Sequence, residues 1–195
     1  MTALRLTRGG LLRAAFAGGA VAAGGLAMAG DGTPLAAQSG GADADILNLF
    51  LTLERVQAGF YRAALQTDRL DGGLLKFATT VGAQEREHVA FLERRLGNQA
   101  EQPPRSDFGH LLATPRDFRD AAIELEEAAI AAYIGQAANL RRETLASVAT
   151  LVSVEARQVA WVRDLAGTSP APRAADPARP ADEILADLRD RGFIG

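Results

Sequence analysis

No cysteine occurs in this chain of 195 residues, and that absence excludes disulfides, thiolate metal sites and thiol nucleophiles together. Histidine is nearly as scarce, with only His88 and His110. Lysine is reduced to Lys76, and the arginines that supply the other basic groups form no stripe. A phosphate backbone calls for clustered positive charge, which a chain of net charge −3 without such a stripe does not offer, so nucleic acid is excluded as a partner. Aromatic residues make up only 6% of the chain. Chemistry therefore falls to carboxylate, histidine or tyrosine. Apolar residues, by contrast, reach 48%, enough at this length for one core of ordinary domain size.

Acidic residues are missing from the first 29 positions, which hold Arg5, Arg8 and Arg13 and then the weakly apolar stretch Ala14 to Met28. A basic start followed by such a stretch and small residues predicts an export signal. Ala27-Met28-Ala29 offers one cleavage site, and Leu35-Ala36-Ala37 before Gln38 offers a second. The run Thr7 to Arg13 is similar to a twin-arginine export motif with Gly9 in the place of the second arginine. Export by a Sec or a degenerate twin-arginine signal, to the periplasm or beyond the cell, is the expectation. The alternative is a retained membrane anchor, but the stretch is short and rich in glycine, so no stable membrane span is expected after signal removal. Residues 1–37 are read as export signal and flexible leader.

Beyond the leader the apolar residues recur every three or four positions, the period of a helix with one buried face. Leu47, Phe50, Glu54, Gln57, Tyr61 and Leu65 form such a stripe between Asp45 and about Gln66. The cluster Asp68 to Gly73 breaks it. A second helix is predicted from about Gly73 to Leu96, with Leu74, Ala78, Val81, Glu85, His88, Leu92 and Arg95 in its seam and Gly97 as its left-handed cap. Asn98 to Ala113 shows no periodicity and is too long for a hairpin turn, so it reads as a crossover. Thr114-Pro115-Arg116-Asp117 is a helix start: threonine caps, proline suits the first helical position and Asp117 favours the positive helix end. The third helix turns Ala122 or Ile123, Glu126, Ile130, Tyr133 and Ala137 inward. A fourth runs from about Arg141 to Ala166 with Val148, Leu151, Glu155, Gln158, Val162 and Leu165 in its seam, and Gly167 ends it. The predicted fold is all-α: a four-helix bundle over residues 44–167, made of two antiparallel hairpins joined by a long crossover. Residues 168–195 are read as a Pro/Ala-rich linker and a short helix, Ala181 to Arg191, closing with Phe193-Ile194.

The bundle repeats itself. Leu53-Glu54 with Tyr61 recurs as Leu125-Glu126 with Tyr133 at identical spacing, and Glu85-x-x-His88 recurs as Glu155-x-x-Gln158. Each of the four helices thus places one glutamate near mid-length in its seam, and a bundle makes the four converge. Ionised carboxylates gathered in a low-dielectric core repel one another, each being pushed towards its neutral form. Divalent cations remove that penalty. Oxygen ligands with an imidazole suit iron or manganese better than zinc, which draws on more nitrogen or sulfur. The candidate metal ligands are Glu54, Glu85, His88, Glu126 and Glu155. The alternative for the same residues is a metal-free network in which protonated carboxyls, Gln158 and water fix the helix register.

The phrases Leu53-Glu54 with Phe60-Tyr61, Glu85-x-x-His88-Val89, Leu125-Glu126 with Ala131-Ala132-Tyr133, Val154-Glu155-Ala156-Arg157, and the terminal Glu183-Ile184-Leu185 with Gly192-Phe193-Ile194 carry a resemblance. Over about residues 44–195 the chain resembles the bacterial ferritin-like domain proteins, and within them the exported group similar to plant desiccation-related proteins. That resemblance implies a di-iron carboxylate centre on a ferritin-like bundle. Gln158 departs from it, standing where members of the resembled group carry histidine, and glutamine is a poor metal ligand beside imidazole. Iron oxidation, or other iron and oxygen chemistry, is the activity implied. A structural or stress-protective bundle with a degenerate site is the alternative. Metal ions are the expected partners, and assembly into a homo-oligomer is left open.

Tyr61 and Tyr133 lie two turns, about 10 Å, from Glu54 and Glu126 on their own helices and read as core tyrosines with satisfied hydroxyls. Trp161 reads as packing, and Glu87, Glu93, Glu124 and Glu127 as solvated face. Arg95 is expected to pair with an acid near the bundle end, and His110 to be solvated in the crossover.

Overall fold

The computed structural model describes residues 39–195, with side chains from Asp43 onward. The export signal and leader read from residues 1–37 lie outside the described residues. Five α-helices follow in order among the described residues, and no strand: α1 Ser39–Leu65, α2 Gly72–Leu96, α3 Pro115–Gln136, α4 Arg142–Leu165 and α5 Ala181–Asp190. The fold is the all-helical bundle that the periodicity predicts. None of these helices is long and apolar enough to cross a membrane.

The first four helices pack as two hairpins, α1 with α2 and α3 with α4, and the hairpins meet along α1 with α3 and α2 with α4. Their starts and stops have local causes. Thr114 caps α3 by accepting from the Asp117 backbone N–H at 3.1 Å, and its hydroxyl donates back to the Asp117 carboxylate at 2.7 Å. Gly97 closes α2 with φ 56°, a conformation that side chains with a Cβ rarely adopt.

Helix α1 begins at Ser39 rather than at Asp45. Glycines at 40 and 41 are poor helix formers and hide this extension. A tertiary contact supports it: the buried Asp43 carboxylate accepts from Arg141 Nε at 2.7 Å and from the Thr144 hydroxyl at 2.6 Å, at the start of α4.

The predicted seams are buried from Leu47 to Tyr61, Ala78 to Leu92, Ala122 to Tyr133 and Val148 to Val162, while Leu65, Leu74, Ala137 and Leu165 are half-buried at the ends. In α3 it is Ala122, not Ile123, that faces fully inward. Arg95 is a correction. It is exposed, donates to the Ser147 hydroxyl and lies over the Phe91 ring at 5.3 Å, because the buried face steps from Leu92 to Leu96, four residues on rather than three.

The crossover contains two short 3-10 turns, Gly97–Gln99 and Gly109–Leu112. It is held by Asn48, whose amide donates to the Gln99 carbonyl and whose carbonyl accepts from Glu101 N–H, both at 2.9 Å. The C-terminal segment docks on α3 and the crossover. Arg191 grips Glu124 with two hydrogen bonds, the Gly195 N–H donates to the Arg105 carbonyl, and Phe193 is buried beside Phe60. Gly135 permits the approach: a Cβ there would lie 2.2 Å from the Arg179 carbonyl oxygen. His110 is tied to this tail, its Nε2 lying 3.1 Å from the Arg191 carbonyl. Glu124 and Glu127 are likewise engaged, Glu127 with Arg163 at 2.5 Å, and Glu93 pairs with Arg55 at 2.7 Å. Trp161 packs edge-on against Phe77 at 5.2 Å, as a packing residue should.

Candidate metal centre

Glu54, Glu85, Glu126 and Glu155 are all completely buried, and each belongs to a different helix of the bundle. Helical periodicity alone places them in the seams, and packing the four seams together brings them to one level. His88, one turn beyond Glu85, points its Nδ1 at three carboxylates: Glu155 Oε1 at 3.0 Å, Glu54 Oε2 at 3.1 Å and Glu85 Oε2 at 3.4 Å. One ring N–H can serve only one of them well. It is aligned with Glu54, which leaves Glu85 Oε2 and Glu155 Oε1 buried without a hydrogen-bond donor. Such orphaned oxygens are costly in a dry core unless a cation receives them.

One donor atom from each of Glu54, Glu85, His88 and Glu155 lies within 4.8 Å of the others, a set able to hold a metal ion. Three carboxylate oxygens and one imidazole suit iron or manganese. Glu126 stands apart from this set. Its two oxygens are taken by the Tyr61 hydroxyl and by Gln57 Nε2, the latter at 3.1 Å.

Both tyrosines enter the centre by a route that spacing along one helix does not reveal. Tyr133 donates to Glu54 Oε1 at 2.5 Å, and Tyr61 donates to Glu126. Residue 61 faces 126 while residue 54 faces 133, so α1 and α3 run antiparallel. Each tyrosine therefore reaches the glutamate of the other helix rather than its own. The hydroxyls are satisfied, as expected of core tyrosines, but by the site's own carboxylates. Gly82 lets α1 come close here, since a Cβ on it would meet the Tyr61 Cβ at 2.9 Å.

Two amides complete the arrangement. Gln57 Nε2 bridges Glu126 Oε2 at 3.1 Å and Glu155 Oε2 at 3.2 Å. Gln158 Nε2 donates to Glu85 Oε1 at 2.7 Å and to Gln84 Oε1 at 3.1 Å. Gln57 is a site residue that sequence reasoning missed. Its signal was present, since it is a polar residue inside the α1 stripe one turn from Glu54.

Burial raises the pKa of Glu85, Glu126 and Glu155 above the ordinary carboxylate range, and the neighbouring carboxylates add to the rise while His88 opposes it at Glu85 and Glu155. Both tyrosine hydroxyls are likewise pushed well up by burial and by the adjoining glutamates. For His88 burial alone would lower the pKa, but the carboxylates of Glu155, Glu54 and Glu85 outweigh it and push it up to about 12. An imidazolium thus partly balances the carboxylates when no metal is bound. A metal ion would have to displace that proton.

An all-helical bundle of two hairpins with one inward glutamate on each of its four helices defines a class: the ferritin-like four-helix bundles. The chain belongs to the ferritin-like domain family, whose model matches residues 42–168. Comparison with curated proteins returns no match.

Proposed function

We propose that this chain is an exported ferritin-like protein that binds iron, with manganese as the alternative metal, through Glu54, Glu85, His88 and Glu155, and that it performs Fe(II) oxidation or related iron and oxygen chemistry. The observation that carries the reading is the convergence of three buried carboxylates on His88 Nδ1, two of them with an oxygen that no donor satisfies. Bound iron supplies electron transfer to oxygen or peroxide. The chain's own residues hold the ion, keep water from it through the buried seam, and position Glu54 through the Tyr133 hydroxyl.

Oxygen uptake after Fe(II) is added to the metal-free full chain tests this, with Glu54→Ala as control. Uptake in the parent that the variant loses is the expected result. Absence of uptake in a folded parent would leave the second reading, a structural or stress-protective bundle akin to desiccation-related proteins. That reading is favoured by one specific observation: Gln57, Gln158, Tyr61 and Tyr133 all donate to the glutamates, a hydrogen-bond network of the kind that fixes helix register.

Export rests on Arg5, Arg8 and Arg13 ahead of the apolar stretch Ala14 to Met28. N-terminal sequencing of protein recovered outside the cytoplasm should start at Gly30 or Gln38. Recovery only from the cytoplasm with Met1 intact would sink the export assignment.

A further inference from the structure

The centre is built on a repeat, and the two halves of the repeat are not filled alike. Adding 72 to a position in α1 gives its counterpart in α3, so Glu54 and Tyr61 answer to Glu126 and Tyr133. Adding 70 relates α2 to α4, so Glu85 and His88 answer to Glu155 and Gln158. One half-site is therefore Glu54, Glu85 and His88, and its counterpart is Glu126, Glu155 and Gln158. The first offers an imidazole nitrogen and one orphaned carboxylate oxygen, Glu85 Oε2, and the other orphan, Glu155 Oε1 of the second, is turned to the same imidazole at 3.0 Å. In the second, Gln158 replaces the imidazole, and its amide N–H points at Glu85 Oε1, 2.7 Å away. Gln57, whose counterpart Ala129 carries no polar group, directs its own N–H at Glu126 Oε2 and Glu155 Oε2. The remaining Glu126 oxygen is taken by the Tyr61 hydroxyl.

Resting on the metal-binding reading above, we propose that the centre is a one-metal site, and that Gln57 and Gln158 keep the second position of the bundle closed to a cation. The physical reason is the sign of the groups presented. A cation needs lone pairs, and around the second position the hydrogen ends of two amide dipoles are aimed at Glu126 Oε2 and Glu155 Oε2, its own carboxylates, and at Glu85 Oε1 beside it. Turned round, each amide would set its carbonyl against an ionised carboxylate oxygen, lone pair against lone pair. Their carbonyl oxygens, Gln57 Oε1 and Gln158 Oε1, are instead left buried without donors. Glu155 serves both halves: its Oε1 faces His88 and its Oε2 takes the Gln57 amide. The asymmetry thus reads as a four-ligand site for one ion with an amide-lined wall beside it.

Anaerobic titration of the metal-free full chain with Mn(II), followed by elemental analysis and electron paramagnetic resonance, tests this without reference to activity. The expected result is one Mn(II) per chain with the hyperfine pattern of an isolated ion. Two ions per chain with an exchange-coupled spectrum would leave the metal reading standing and overturn this one. A folded parent that binds none would overturn both. The double variant Gln57→Ala, Gln158→His, checked by circular dichroism for an intact bundle, should raise the capacity from one ion to two. A folded double variant that still binds one would remove the amides as the cause of closure.

Discussion

The two hairpins have the same plan and different contents. The first fills its seam with Phe50, Gln57 and Phe60, where the second has Ala122, Ala129 and Ala132. Phe60 is completely buried, stacked on Phe118 at 5.4 Å and an interplanar angle of 6°, with Phe108, Tyr61 and Phe193 around its edges. Ala132 is just as buried yet carries almost no side-chain volume. The bulk that α3 lacks is supplied to the shared core by α1, so the repeat survives in backbone and polar residues while packing is complementary rather than symmetric. The same holds at the centre, where His88 on one side is answered by Gln158 on the other. A pseudo-symmetric scaffold fixes where the glutamates meet, and the unmatched residues decide what each half does with them.

The largest test of this contrast is to make the first hairpin as small as the second. Phe60→Ala should cost about 3–5 kcal/mol of stability in chemical denaturation, the range for emptying a packed aromatic site. A cost below about 1 kcal/mol would mean that the cluster around it is not tightly packed.

Making the two half-sites alike comes next. His88→Gln removes the only nitrogen ligand, and the expected fall in Mn(II) affinity is at least about 10–100-fold, the scale of losing a group that merely supports a metal ligand. Unchanged affinity would place the metal elsewhere.

The tyrosines sharpen the comparison further, since each supports one half. Tyr133→Phe leaves Glu54 Oε1 without its donor and should weaken metal binding by about 10-fold, while Tyr61→Phe acts on Glu126 and should leave affinity nearly unchanged. Both should lose about 1–3 kcal/mol of stability, the cost of orphaning a buried partner. Equal effects on affinity would abolish the distinction between the halves.

The smallest expected effect lies where the hairpins are tied together at one end. Burial would raise the pKa of Asp43, but the hydrogen bonds from Thr144 and Arg141 and the Arg141 charge hold it below the ordinary value. A depressed carboxylate contributes stability above the ordinary aspartate pKa and loses it as pH falls through the lowered value. Asp43→Asn should therefore cost about 1 kcal/mol at neutral pH, and the gap to the parent should close below about pH 4. A gap that stays constant across that range would show that the Asp43 charge contributes nothing.

Much of this was legible because it is local. Thr114-Pro115 with Asp117 announces the start of α3 by capping chemistry, and Gly97 announces the end of α2 by its positive φ. Glu54, Glu85, Glu126 and Glu155 declare themselves as charges inside apolar stripes, which only convergence in a core can reconcile with burial. The start of α1 escaped notice because glycines mask it and a contact with Arg141 and Thr144 supports it. Arg95 is misplaced by a strict alternation of three and four, since a period of 3.6 residues carries the buried face from Leu92 to Leu96.

The sequence by itself determined the helices, their inward faces and the four glutamates, since periodicity, caps and burial cost act within a turn or two of chain. Only the tertiary structure decided which groups meet. Tyr61 and Glu126 lie 65 residues apart, and Tyr133 and Glu54 lie 79 apart, yet both pairs are hydrogen-bonded. Gln57 likewise reaches across to Glu155, 98 residues away. Such contacts depend on the antiparallel register of whole helices, set by packing over the entire seam, and no spacing along one helix encodes that register.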